Sequence, residues 1–68
     1  MRLRLNGEEK EVGQILTLMD LLRGLGIDPG APGIAVAVNG RVIPRPDFNS
    51  TPVQEGDRIE VVRAVQGG

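Results

Sequence analysis

The 68-residue chain contains no cysteine, histidine, tyrosine or tryptophan and only one phenylalanine. Without cysteine there can be no disulfide staple, thiolate zinc site, iron–sulfur ligation or thiol nucleophile. Without histidine the usual general base near neutral pH and the commonest nitrogen ligand for metals are gone, so the composition argues against self-contained catalysis. Eight basic against nine acidic side chains give a formal charge of -1. With Phe48 as the lone aromatic, there is neither the basic stripe nor the stacking rings of a nucleic-acid surface. No stretch approaches the roughly 20 apolar residues that span a bilayer. The start, Met1-Arg2-Leu3-Arg4-Leu5, alternates instead of forming the apolar block of a signal peptide. The expectation is a cytoplasmic protein with no nucleic-acid and no membrane partner.

What is present is enough apolar material for one packed layer: Val, Ile, Leu, Met, Phe and Ala make up 40% of the chain. One domain spanning residues 1–68 follows, with a net stability at this size of about 3–5 kcal/mol. Met1, Leu3 and Leu5 alternate with Arg2 and Arg4, the period of a half-buried strand. Asn6-Gly7 tolerates the positive φ of a tight type I′ hairpin turn, and the charged run from Glu8 to Val12 suits an exposed edge strand. Thr17 and Asp20 are spaced as a capping box, and Leu18, Leu21, Leu22 and Leu25 recur at helical spacing. Arg23 complements the helix dipole and Gly26 stands where a left-handed cap is needed, which predicts a helix over residues 18–25.

Two prolines and two glycines within Asp28–Gly33 make a connecting loop. Ile34 to Val38 is a strand with large residues on one face and alanines on the other. Asn39-Gly40 is a second hairpin signal, and Arg41-Val42-Ile43 is a short return that Pro44 stops by removing a donor. Residues 44–57 read as irregular with Phe48 as their anchor in the core. After the turn Glu55-Gly56-Asp57, Arg58 to Val61 alternates as a last strand. Val62 and Ala64 then fall on the polar face of that strand, so an apolar spot is expected outside the core, close to a flexible tail over residues 64–68. The order β-β-α-β-β-β, with one leucine stripe to be covered by one sheet, gives an α+β fold. The clean one-face alternation of the first and last strands suits two neighbouring central positions.

Few residues suggest chemistry. Glu55, Asp57 and Glu60 form the densest acidic group, but their spacing fits no EF-hand loop and reads as an ordinary polar turn; no metal site is expected. Gly24-x-Gly26 and Gly30-x-x-Gly33 match neither the dinucleotide nor the phosphate-loop spacing, and are caps and turns. The end is different. Gly67 and Gly68 have no Cβ and can enter a narrow channel in a partner enzyme, and five extended residues from Ala64 reach about 17 Å beyond the fold. A free α-carboxylate is ionised at neutral pH and a poor electrophile. Adenylation would convert Gly68 to a mixed anhydride, which a sulfur nucleophile could open to a thiocarboxylate. Nothing in the chain could perform those steps, so they must be supplied in trans.

Taken in order, the strand and turn from Met1 to Asn6, the Leu21-Leu22 pair, the segment Ala37-Val38-Asn39-Gly40-Arg41-Val42-Ile43-Pro44-Arg45, the turn Glu55 to Glu60 and the terminal Val65-Gln66-Gly67-Gly68 resemble the ThiS family of sulfur carriers over essentially the whole chain. The resemblance implies a β-grasp, ubiquitin-like fold: a mixed sheet of four or five strands on one helix, with first and last strands as parallel neighbours. It implies that Gly68 becomes a covalent 1-thioglycine, with no bound cofactor and with ATP used by the partner. The implied partners are a ThiF-like adenylating enzyme, a cysteine desulfurase or other sulfur donor, and a ThiG-like thiazole synthase. Gly67, Gln66, Val65, Ala64 and Val62 are the expected partner-binding residues. The end Arg63-Ala64-Val65-Gln66-Gly67-Gly68 has no proline before Gly-Gly, unlike the molybdopterin-synthase small subunit. Carriers for molybdopterin or tRNA thiolation, a protein-modifying tag and a non-covalent ubiquitin-like interaction module stay open as alternatives.

Overall fold

The computed structural model describes residues 1–15 and 17–63. The alternating start forms β1 (Arg2–Leu5), which pairs antiparallel with β2 (Glu8–Glu11) in the register Arg2–Glu11 through Leu5–Glu8. The intervening Asn6 and Gly7 have φ of 49° and 84°, the positive pair that a type I′ turn requires. Every residue of β2 is exposed, and its charges blunt an edge that would otherwise invite strand addition.

Helix α1 (Leu18–Gly24) begins with a complete capping box: Asp20 N–H donates to Thr17 Oγ1 at 3.2 Å and Thr17 N–H donates to Asp20 Oδ2 at 3.1 Å. The aspartate therefore reaches back as a glutamate would. Two further N–H groups at this end, on Leu18 and Met19, donate to the carbonyls of Thr51 (2.9 Å) and Phe48 (3.1 Å). Those groups have no partner within a helix, so the 44–57 segment supplies the missing acceptors. At the other end Leu25 is the cap and Gly26 takes φ of 76°. Gly26 N–H bonds to Arg23 O and Ile27 N–H to Leu22 O, a Schellman ending.

β3 (Ile34–Val38) and β4 (Arg41–Ile43) form the second hairpin, with Asn39 and Gly40 again at positive φ. A 3-10 turn, Arg45–Asp47, and an isolated bridge between Thr17 and Pro52 give order to the segment that reads as irregular in sequence. The last strand, β5 (Arg58–Arg63), continues two residues past the predicted Val61, because Val62 and Arg63 pair with Ala35 and Ile34 of β3.

The sheet order is β2-β1-β5-β3-β4, with β1 and β5 parallel and every other pair antiparallel. This is the β-grasp arrangement. One face carries the core: Leu3, Val36 and Ile59 from the sheet, Leu18, Leu21 and Leu22 from the helix, and Phe48 and Val53 from the crossing segment. Phe48 is the largest buried side chain, as its position in the loop led us to expect. Leu25 is only half-buried, because the helix has closed before it. Among the described residues no helix is long and apolar enough to cross a membrane.

Candidate functional site

Of the residues singled out in sequence, Ala64, Val65, Gln66, Gly67 and Gly68 lie outside the described residues. Val62 is described, and it stands where the broken alternation put it: 61% exposed, on the sheet face opposite the helix. Its register partner is Ala35; two residues earlier Glu60 pairs with Ala37, whose other partner is Val42. Val42 is 69% exposed, so the two large exposed hydrophobic residues of the described chain flank a pair of alanines. Small side chains between two valines leave a shallow apolar patch beside the point where residue 63 ends. The alanine face of β3 was visible in the sequence; its junction with Val42 and Val62 depends on strand order.

β5 is a central strand, held by β3 on one side and β1 on the other. Its ladder with β1 covers only Arg4–Arg58 and Leu5–Ile59, and Asn6 extends it. Asn6 N–H donates to Ile59 O at 2.9 Å. Its side chain then takes both backbone groups of Val61, accepting from the N–H at 2.9 Å and donating to the carbonyl at 3.3 Å. One residue thus makes the hairpin turn and clamps the strand that carries Val62. Asn39 does the same at the other end of β5: Arg58 N–H donates to its Oδ1 at 2.9 Å, its N–H donates to Arg58 O at 2.7 Å, and its Nδ2 donates to Asp57 Oδ1 at 3.1 Å. Both asparagines read in sequence only as turn formers.

Two of the three acidic residues, Glu55 and Asp57, serve as acceptors for the backbone. Both carboxylate oxygens of Glu55 accept from Arg2 N–H at 3.1 Å, and Asp57 Oδ2 accepts from Gln54 N–H at 2.8 Å. Among the described residues no three acidic side chains converge to hold a metal ion. Arg45 donates from its guanidinium to the carbonyls of Gly30 (2.9 Å) and Ala31 (2.7 Å), pinning the proline-rich loop. Among the described residues no polar or charged side chain is buried, so none of them is a shielded base or nucleophile. A recess of about 490 Å³ is an open groove between the β2–α1 connection and the helix, lined by Val12, Ile15, Leu21 and Leu25 among others. It lies away from Val62.

A β-grasp body whose central strand leads toward a Gly-Gly sequence is the plan of a small carrier protein. The sequence profile described as the ThiS family matches residues 3–68, and the chain belongs to that family. The crystal structure of the thiamine biosynthesis protein ThiS from Geobacter metallireducens is similar over the whole of both chains, with 33% identity and a TM-score of 0.83. Thiazole synthases from Paramagnetospirillum magneticum and Magnetococcus marinus match the whole chain at 34% and 40% identity. The chain spans 20% of the length of each of those two relatives.

Proposed function

We propose that this chain is a sulfur carrier for thiamin thiazole synthesis, a co-substrate acted on by other proteins and not an enzyme. The single observation that carries the reading is the placement of β5: a strand gripped on both sides, in a body of ThiS type, directly precedes Ala64-Val65-Gln66-Gly67-Gly68. A rigid body then serves as the handle, and the glycine end as the reacting arm.

The chemistry is acyl activation. A carboxylate oxygen of Gly68 attacks the α-phosphorus of ATP in an E1-like adenylating enzyme, and pyrophosphate leaves. The acyl adenylate is then attacked at its carbonyl carbon by a sulfur nucleophile from a cysteine desulfurase or another sulfide donor. The C–S bond forms and AMP leaves with its electron pair. Hydrosulfide gives the 1-thioglycine directly, whereas a desulfurase persulfide gives an acyl disulfide, which a second thiolate cleaves at its outer sulfur to release the 1-thioglycine and a new disulfide. Two thiazole synthases hold a stretch similar to this whole chain within their own polypeptides, which supports an enzyme of that type as the consumer. The apolar patch of Val62, Ala35, Ala37 and Val42 suits docking of the body, with Ala64, Val65, Gln66 and Gly67 entering the partner's channel.

The test is intact-mass measurement of the full chain after incubation with ATP, the adenylating enzyme and a sulfur donor. Replacement of one oxygen by sulfur adds roughly 16 Da through this activated-acyl route. Loading that persists after deletion of Gly68 refutes the assignment. Transfer of the sulfur to tRNA or to a molybdopterin precursor in place of thiazole refutes the pathway while leaving the carrier role. Function that survives amidation of the carboxyl terminus identifies a non-covalent module.

A further inference from the structure

On the outward face of the sheet, away from the apolar patch, Arg4 of β1 and Arg58 of β5 are direct register partners in neighbouring parallel strands. Their Cα atoms are therefore about 5 Å apart, and two like charges in such a pair cost stability. Both side chains are exposed. Two of the nearby carboxylates are committed elsewhere: Glu55 to Arg2 N–H, and Asp57 to Gln54 N–H and the Asn39 amide. Glu9 stands opposite Arg4 in β2, and Glu60 lies two residues beyond Arg58 on the same face. Yet the one ion pair among the described residues is Arg2 with Glu11, at 3.5 Å. Open recesses of about 280 Å³ and about 190 Å³ flank the two arginines, one lined also by Glu9 and Gly56 and the other by Gly7 and Glu60. No atom lies within 4 Å of where a Cβ would stand on Gly7 or Gly56, so the backbone leaves both approaches clear.

We propose that Arg4 and Arg58 together receive a carboxylate side chain of the protein that docks on the outward face, a proposal that rests on the carrier reading for the existence of that protein. Two guanidinium forks side by side match the oxygens of a carboxylate, and its charge offsets the repulsion between them. Val62 lies four residues along the same strand and on the same face, about 13 Å from Arg58 at the rise of a β-strand. The occupant is therefore an Asp or Glu set about that distance from an apolar side chain on one partner surface. A free anion would have use for the arginines alone.

The experiment compares the full chain with the R4Q/R58Q double variant, using the adenylating enzyme that loads it. KM for the carrier and kcat are measured at 50 and 300 mM NaCl, and Kd for the same enzyme is measured without ATP. Neutralising the pair is expected to raise KM and Kd about tenfold at low salt, to leave kcat unchanged and to abolish most of the salt dependence. R4K/R58K, which keeps the charge but not the fork, is expected to recover part of the affinity and the salt dependence. Because a like-charge pair is being removed, the double variant should unfold at an equal or higher urea concentration, which a merely structural role would not give. Unchanged KM and Kd overturn the proposal, as does an equal salt dependence in both proteins. Arginine-dependent submillimolar binding of inorganic phosphate, with KM unmoved, assigns the pair to a small anion and also overturns it. If the wild-type chain is never loaded, but its binding to the enzyme still depends on the arginines and on salt, the carrier reading falls and this one stands; if neither loading nor binding occurs, both fall.

Discussion

Asn6 offers the sharpest test of how the body holds its last strand. Asn6→Gly keeps the positive φ of the turn at no steric cost and removes only the two side-chain hydrogen bonds to Val61. Each is worth about 0.5–1.5 kcal/mol net, and since both are exposed the lower half of that range applies, giving a loss of about 1–2 kcal/mol. Asn6→Ala removes the same bonds and also forces a Cβ-bearing residue with no local polar compensation to φ of 49°, adding about 1–2 kcal/mol. For a domain stabilised by about 3–5 kcal/mol, the glycine variant gives up a third or so of its stability and the alanine variant more than half. The assay is urea unfolding of the three proteins followed by circular dichroism, together with hydrogen exchange of the Val61 amide. The expected order of stability is wild type, then Asn6→Gly, then Asn6→Ala, with Val61 losing protection in both variants. A glycine variant as stable as the wild type, or a Val61 amide equally protected in all three, would falsify the clamp, and an alanine variant as stable as the glycine one would remove the φ contribution.

Two further outcomes follow from the same contacts. Phe48→Ala removes the largest buried side chain from a core of eight residues and is expected to cost about 3–5 kcal/mol, which leaves the domain largely unfolded; retained methyl dispersion in the NMR spectrum would contradict this. Val62→Asp puts a charge on an exposed position, so the urea midpoint should move by no more than about 0.5 kcal/mol in stability. Its affinity for the adenylating enzyme should nevertheless fall at least about tenfold, as expected for an apolar anchor at an interface, and equal affinity would remove the patch from the docking surface.

Most elements of the fold were legible because their signals are local. Alternation along Met1–Leu5 fixes which side chains share a face, the leucine spacing fixes a helix stripe, and Asn-Gly pairs fix turns through the φ they tolerate. Apart from Phe48 and the turn Glu55-Gly56-Asp57, the 44–57 segment was not legible, since its order comes from lending carbonyls to the helix start, a partnership between residues about thirty positions apart. The end of β5 was misjudged for the same kind of reason. The pattern slips at Val62, but pairing with β3 carries the strand through Arg63 whichever way the side chains point.

The candidate site divides in the same way. That Gly67 and Gly68 are unhindered, and that no thiol or imidazole is present to act on them, is a matter of residue type and needs no coordinates. That Val42 meets Val62 across two alanines, that Arg4 faces Arg58, and that two turn asparagines grip β5 depends on which strands become neighbours. A one-dimensional pattern reports the face a side chain takes on its own strand. Its neighbours on that face are set by sheet order and register, which are decided only when distant segments pack on a common core.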